Sequence, residues 1–281
     1  MCGLTGFLVL DGSKTPSPRK LDRAFRCMDS RGGHAVGWIQ AYKNATICEP
    51  SKFEGTASAH SDLIRTDVVG SVVFVGHTRF TTHGSASDDN NNHPHEYENE
   101  NVYGAITHNG VISGHEQTAR ENNVQLTGEC DSELIARLIE SYDATIPYWK
   151  RVSKAINACT KSSCIALGCV ETDGETVSFV LASRGNPVCY QVLNGVLYYA
   201  STKQALPNPN KALQLNERSV LYSTPEGFEV KQNVLDAMEF GLGFLNWQSF
   251  QPNRKKAKRK RFDWSSPEVD SFDEWIESRS V

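Results

Sequence analysis

The 281-residue sequence predicts an α+β fold in which antiparallel strands and helices occupy separate stretches of the chain. Three observations lead there. Apolar strand-like segments come early, at residues 4–10 and 68–75. Two segments of helical periodicity sit mid-chain, at 131–141 and 146–159. After them the chain is β-rich, with Asp173-Gly174 and Asn194-Gly195 each flanked by short apolar runs. Both dipeptides signal two-residue hairpins, because a type I′ turn needs positive φ at both central positions. A parallel, doubly wound sheet would instead alternate strand and helix throughout.

Residues 4–10 read as a strand closed by Asp11-Gly12, and 14–18 as a turn-rich loop. Residues 20–30 have helical spacing through Leu21, Phe25 and Met28. The β-branched run at 68–75 reads as a buried strand. A polar loop over 85–101, centred on residues 88–92, leads to a strand at 102–107. Residues 131–141 place Leu134, Ile135, Leu138 and Ile139 on one helical face, and a second helix follows. Strands at 165–170 and 177–182, then 188–193 and 196–200, flank the two hairpin turns, and 220–222 with 228–230 form a last hairpin. One domain is expected over residues 1–232, followed by an arm and tail over 233–281. In the tail, Ser265 and Glu268 have capping-box spacing, and Val269, Phe272 and Ile276 share a face, so a short helix is expected at 265–278.

Composition fits a soluble protein with a sizeable core: 39% hydrophobic and 22% charged residues. No apolar run reaches the roughly 18 residues of a membrane span, and the start lacks the basic region of a signal peptide. A cytoplasmic location is expected. Eight cysteines in such a chain read as free thiols. The spacing Cys159-x4-Cys164-x4-Cys169 lacks the CxxC pairing of zinc ribbons, and Cys164 and Cys169 on one strand would face opposite sides. No metal or cofactor is expected. Net charge is −4, but residues 254–261 hold seven positive charges and 263–277 six negative ones. The basic run from Lys255 to Arg261 suits a solvated tail, with nucleic-acid contact as the sharper alternative.

The candidate chemistry begins at the second residue. Removal of the initiator Met would leave Cys2 with both a thiol, ordinarily near pKa ~8.5, and the chain's α-amine, near ~7.7–8.0. One residue would then supply nucleophile and base. Three polar clusters accompany it. In Gly76-His-Thr-Arg-Phe-Thr-Thr-His-Gly84, Arg79 offers a bidentate fork for a carboxylate, or an ordinary surface salt bridge. In His108-Asn109-Gly110, the Asn side chain and Gly N–H suit an oxyanion hole, or a simple Asn-Gly turn. In Glu129-Cys-Asp-Ser-Glu133, Asp131 is a helix N-cap candidate that could instead accept an ammonium group.

These clusters, in this order after Cys2-Gly-Leu-Thr-Gly6, resemble the class II glutamine amidotransferases, whose glutaminase domains begin Cys-Gly-Ile-x-Gly. The family's Arg-Gly-x-Asp-Ser-x-Gly is matched loosely by Arg31-Gly-Gly-His-Ala-Val-Gly37. Its Gly-His-Thr-Arg-Trp-Ala-Thr-His-Gly corresponds to residues 76–84, its Asn-x-His-Pro to Asn91-Asn-His-Pro94, and its Ser-Asp-Thr-Glu to Cys130-Asp-Ser-Glu133. His108-Asn-Gly-Val-Ile112, Ser183-Arg-Gly-Asn-Pro187 and Tyr199-Ala-Ser-Thr-Lys-Gln-Ala-Leu206 look like later family segments. The similarity runs from Cys2 to about residue 230.

The resemblance implies a four-layer αββα sandwich, the N-terminal-nucleophile hydrolase fold, and attack by Cys2 on the glutamine side-chain amide. Asn109 and the Gly110 N–H would hold the oxyanion. Arg79 would take the substrate carboxylate, with Thr82 and His83 nearby, and Asp131 the ammonium. Arg31 and His108 would support them. The family's usual Asp and Ser are absent after Arg31, Cys130 replaces a Ser and Phe80 a Trp. Family members usually continue into a synthetase, isomerase or phosphoribosyltransferase domain. Here about 50 residues follow, too few for such a core, so a separate acceptor-processing partner is expected. Two other readings stand beside this one: a γ-glutamyl amidohydrolase that transfers no ammonia, and a non-catalytic interaction or nucleic-acid-binding module.

Overall fold

The structure, a computed structural model, describes residues 2–82 and 84–238. The chain divides into two units, Met1–Gly241 and Leu242–Val281, and all described residues belong to the first. The basic run from Lys255 to Arg261 and the helix expected at 265–278 lie outside the described residues.

Strand β1 (Gly3–Val9) is paired on both edges, antiparallel to β4 (Ser71–Arg79) and to β10 (Val196–Ala200). Around it β2 (Ala35–Tyr42), β3 (Ser51–Glu54), β9 (Cys189–Leu193) and β11 (Leu213–Gln214) complete a sheet of order β11-β9-β10-β1-β4-β2-β3. A second sheet contains β5 (His95–Glu98), β6 (Tyr103–Val111), β7 (Cys164–Thr172), β8 (Val177–Arg184), β12 (Ser219–Thr224) and β13 (Gly227–Lys231), in the order β13-β12-β8-β7-β6-β5.

Strand alternation divides the apolar residues into three layers. Leu4, Leu8, Val73, Val75, Phe179 and Leu181 fill the space between the sheets. Phe7, Trp38 and Phe74 point the other way, against Leu21, Phe25 and Met28 of α1 (Pro18–Met28) and Ile64 of α2 (Ser61–Asp67). On the far side, Leu167, Cys169 and Val180 meet α4 (Glu133–Ser141) and α5 (Tyr148–Ala158), with Ala119 of α3 (His115–Glu121) at the edge. The result is a four-layer αββα sandwich. Beyond residue 232, Leu235 belongs to the same core and Asp236 N–H donates to Asn157 at 2.9 Å.

Local signals and tertiary context disagree in places. Residues 68–70 are not strand: Val68 caps α2, Gly70 takes a positive φ of 80°, and β4 starts at Ser71. Asn194-Gly195 is the expected two-residue turn, with φ of 51° and 74° and Leu193 paired to Val196. Asp173-Gly174 is not. Thr172 pairs with Val177, because Asp173 Oδ1 accepts the Glu175 and Thr176 N–H groups and builds a longer loop.

Phe74 is fully buried and packs against Phe7, Phe25 and Trp38. Phe74→Ala is expected to destabilise the fold by about 3–5 kcal/mol, read as a lowered urea midpoint with an unchanged slope.

Candidate active site

Gly3 lies opposite Thr78, which brings Cys2 to the end of β4 where Arg79 and Phe80 leave the sheet. The Phe80 N–H donates to Cys2 Sγ at 3.3 Å, and the thiol approaches Phe80 O at 3.6 Å. Arg31 Nε donates to Cys2 O at 3.1 Å, so the start of the strand is held by a cation as well as by the ladder. A Cβ on Gly3 would lie 2.7 Å from Met28 Cβ and Thr78 Oγ1, which explains a glycine after the cysteine by packing alone. Burial pushes the Cys2 thiol up, opposed by the Phe80 N–H. Such a thiol needs a base to react at neutral pH.

His108, Asn109 and Gly110 are not a turn. They lie within β6, paired with Leu167, Ala166 and Ile165 of β7. A Cβ on Gly110 would collide with the Cys164 carbonyl. Asn109 Nδ2 donates to Ser201 Oγ at 3.3 Å, and that same oxygen accepts the Leu4 N–H at 2.9 Å. Asn186 Nδ2 donates to Asn109 O at 2.8 Å. Ser201 and Asn186, neither singled out as a site residue from sequence, thus fix Asn109 relative to β1. Their only signal was membership of the two late motifs.

Arg79 is 3% exposed, which rules out a surface salt bridge. Its Nη1 donates to Asn92 Oδ1 at 2.9 Å and Ser85 O at 3.1 Å, and its Nη2 to Gly84 O at 3.2 Å. Thr82 is exposed nearby in sequence, and His83 lies outside the described residues. Asp131 is not a cap of α4. Its Oδ2 accepts the Ile112 N–H across the site at 2.6 Å. Glu133 instead takes up the loop before the helix, accepting the Thr127 and Gly128 N–H groups at 3.0 and 2.8 Å.

Buried imidazoles join the two sheets here. His77 Nε2 donates to His108 O at 3.0 Å, and burial, then the neighbouring His108, pulls its pKa down to about 3. His108 Nε2 donates to Cys164 O at 3.2 Å, leaving Nδ1 to accept from Ser132 Oγ at 2.8 Å, and burial lowers its pKa also. His34, where the family motif carries Asp, accepts the Thr81 N–H at 3.0 Å and stacks on Phe80 with ring centres 4.9 Å apart. It therefore holds the peptide that touches the Cys2 sulfur.

The family described as glutamine amidotransferases class-II matches residues 13–181. The chain belongs to that family, and its αββα layering is the N-terminal-nucleophile hydrolase fold. Among curated relatives, the glutamine–fructose-6-phosphate aminotransferase (isomerizing) of Chlorobaculum tepidum is 27% identical over 243 residues, covering 82% of this chain and 37% of that protein. The enzyme of the same name from Symbiobacterium thermophilum is 27% identical over 259 residues, covering 90% and 40%. The glutamine phosphoribosylpyrophosphate amidotransferase structure from B. subtilis superposes with a TM-score of 0.67 at 16% identity, covering 84% of this chain and 50% of that one. The chain thus spans about two-fifths of the length of these curated relatives. Among the described residues no helix is long and apolar enough to cross a membrane.

Ser201→Ala leaves the buried Leu4 N–H without its acceptor. An expected loss of about 1–3 kcal/mol is measurable by denaturant unfolding, and a change within ~0.3 kcal/mol would show that water replaces the hydroxyl.

Proposed function

We propose that this protein hydrolyses the side-chain amide of glutamine, with Cys2 as nucleophile after removal of Met1, and that the ammonia serves a separate acceptor-processing partner. The observation that carries this reading is the Cys2 sulfur set against the Phe80 N–H at 3.3 Å, on a strand whose Leu4 shares Ser201 with Asn109. In this reading the α-amine of Cys2, directly or through water, takes the thiol proton as sulfur attacks the amide carbon. Asn109 Nδ2 and the Gly110 N–H receive the oxyanion. Collapse breaks the C–N bond, the amine returns the proton to the leaving nitrogen, and ammonia departs from a γ-glutamyl thioester. Water then attacks, and glutamate leaves with the thiol restored.

Substrate recognition follows from the two buried charges. Asp131 Oδ2 is committed to Ile112, and Oδ1 has only the long contacts of Ser132 Oγ at 3.4 Å and Cys130 Sγ at 3.9 Å, which the substrate ammonium would replace. Arg79 would exchange neutral carbonyls of the 84–85 loop for the substrate carboxylate, a stronger charge-assisted pair. Thr82 and His83 would line that end. Arg31 would act through the Cys2 carbonyl, and His108 through Ser132 Oγ and the Cys164 carbonyl. In the curated relatives most of the length lies outside the matched region, room for an acceptor-processing part of the kind this reading calls for.

Cys2→Ala is expected to abolish glutaminase activity while leaving the far-ultraviolet circular dichroism unchanged; wild-type turnover in that variant sinks the proposal. Asn109→Ala is expected to lower kcat by about 10²–10³ with little change in KM. Intact mass should show Met1 absent from the active protein. A substrate panel separates the remaining alternative: a γ-glutamyl peptide cleaved far faster than glutamine would make this an amidohydrolase without ammonia transfer.

A further inference from the structure

We propose that His93, His95 and Cys130 form a binding site for a divalent cation of the zinc class, and that its occupation inhibits the enzyme by drawing in Asp131. The binding half stands on these residues alone; the inhibitory half rests on the substrate role given to Asp131 above.

One donor atom from each of the three residues lies within 4.8 Å of the other two. The residues are 3%, 4% and 5% exposed, and they come from separate segments: the run entering β5, and the loop before α4. Zinc holds nitrogen at about 2.0–2.1 Å and sulfur at about 2.3 Å in a tetrahedron, which sets donors some ~3.4–3.6 Å apart. From the 4.8 Å limit the donors have at most about 1.4 Å to draw together. Its present hydrogen bonding leaves room for a ligand. Among the described residues, His95 Nε2 is buried with no hydrogen-bond partner, an arrangement that is unfavourable unless something fills it. His93 Nδ1 accepts only a long 3.4 Å contact from the His108 N–H, with which a metal would compete.

The donor chemistry selects the ion. Two imidazoles and a thiol suit a borderline or soft cation, whereas magnesium and calcium want oxygen. An imidazole ligates in its neutral form, through a ring nitrogen lone pair. Ligation by the Cys130 thiol forms an S–metal bond and releases its proton to solvent. The Arg79 charge opposes a cation here, since it already bears on both histidines. The Cys130 thiolate and the Asp131 carboxylate, with Sγ and Oδ1 3.9 Å apart, together offset a dication. Asp131 stands outside the three-residue group but reaches Cys130 Sγ at 3.9 Å, so it would swing in as fourth ligand, and once it binds metal it no longer receives an ammonium. The family motif has Ser where this chain has Cys130, so the site belongs to this chain rather than to its glutaminase chemistry.

The test uses the full-length reduced protein, titrated with zinc against a chromophoric chelator. Wild type and Cys2→Ala are expected to bind one equivalent. Cys130→Ser, checked for folding by circular dichroism, is expected to bind about 100-fold more weakly, the worth of one ligand. Cobalt in place of zinc should give a thiolate-to-cobalt absorption in wild type that Cys130→Ser lacks. Equal affinity in Cys130→Ser, or binding lost in Cys2→Ala, overturns the site. Stoichiometric zinc should block glutamine hydrolysis by wild type and spare Cys130→Ser; binding without inhibition overturns the link to Asp131. Absence of any glutaminase activity without zinc would instead strike the proposed function and leave the titration to decide the site.

Discussion

The first few residues of a chain ordinarily fray, because nothing holds them from one side. In this protein the opening strand is held from both sides, and the site is arranged around that. The ladder from Thr5–Ala200 to Val9–Val196 fixes one edge of β1, and the ladder from Gly3–Thr78 to Leu8–Val73 fixes the other. This close embrace explains the small residues. A side chain at Gly6 would strike the Phe74 carbonyl and the Tyr199 ring, and one at Gly3 would strike Met28 of α1. The helix layer and the inter-sheet layer therefore both come within contact distance of the strand that carries Cys2.

From that fixed strand the polar network extends outward one bond at a time. Leu4 binds Ser201 through its N–H, and Ser201 holds Asn109 in the opposite sheet. His77 repeats the crossing by donating to His108 O. Burying these groups is tolerable because the imidazoles stay neutral and each donates to a carbonyl. Formal charge is confined to groups with fixed partners: Arg79 among carbonyls and Asn92, and Asp131 on the Ile112 N–H. Each charge is thereby held by neutral polar partners rather than left bare in the interior.

What could be read from sequence follows the same division between local and distant partners. Asn194-Gly195 was legible because a type I′ turn depends on its own two residues. Asp173-Gly174 misled because the Asp side chain offered its own backbone a different turn. Strand β2 carried no alternation, since Trp38 packs on the helices and Ile39 between the sheets, leaving no polar face to mark it. The motif residues Cys2, Arg79, Asn109 and Asp131 were legible as types of chemistry. Their anchors were not. Ser201 meets Leu4 across 197 positions and Asn186 meets Asn109 across 77, distances over which no spacing rule operates. Local spacing offers Asp131 as a cap beside its ammonium-binding reading, and the Ile112 N–H nineteen residues away takes its Oδ2 instead of the helix N-terminus.

The departures from the family pattern cluster around this same network, and they fit one another physically. A tryptophan at position 80 would bring an indole N–H in need of an acceptor; Phe80 brings none. The aspartate of the family motif could accept a backbone N–H but offers no flat face. His34 does both at once, since the Nδ1 lone pair takes the Thr81 N–H while the ring lies against Phe80 at an interplanar angle of 29°. The Phe80 peptide that contacts the Cys2 sulfur is thus held by a histidine–phenylalanine pair. On the other side of the site, a thiol at Cys130 in place of a hydroxyl changes little in size but replaces a hard oxygen by a soft sulfur beside two buried imidazoles. Each change leaves Arg79, Asn109, Gly110 and Asp131 in place. What differs from the family pattern is the material packed around these groups, the His34–Phe80 stack at the Cys2 sulfur and the Cys130 thiol beside two buried imidazoles.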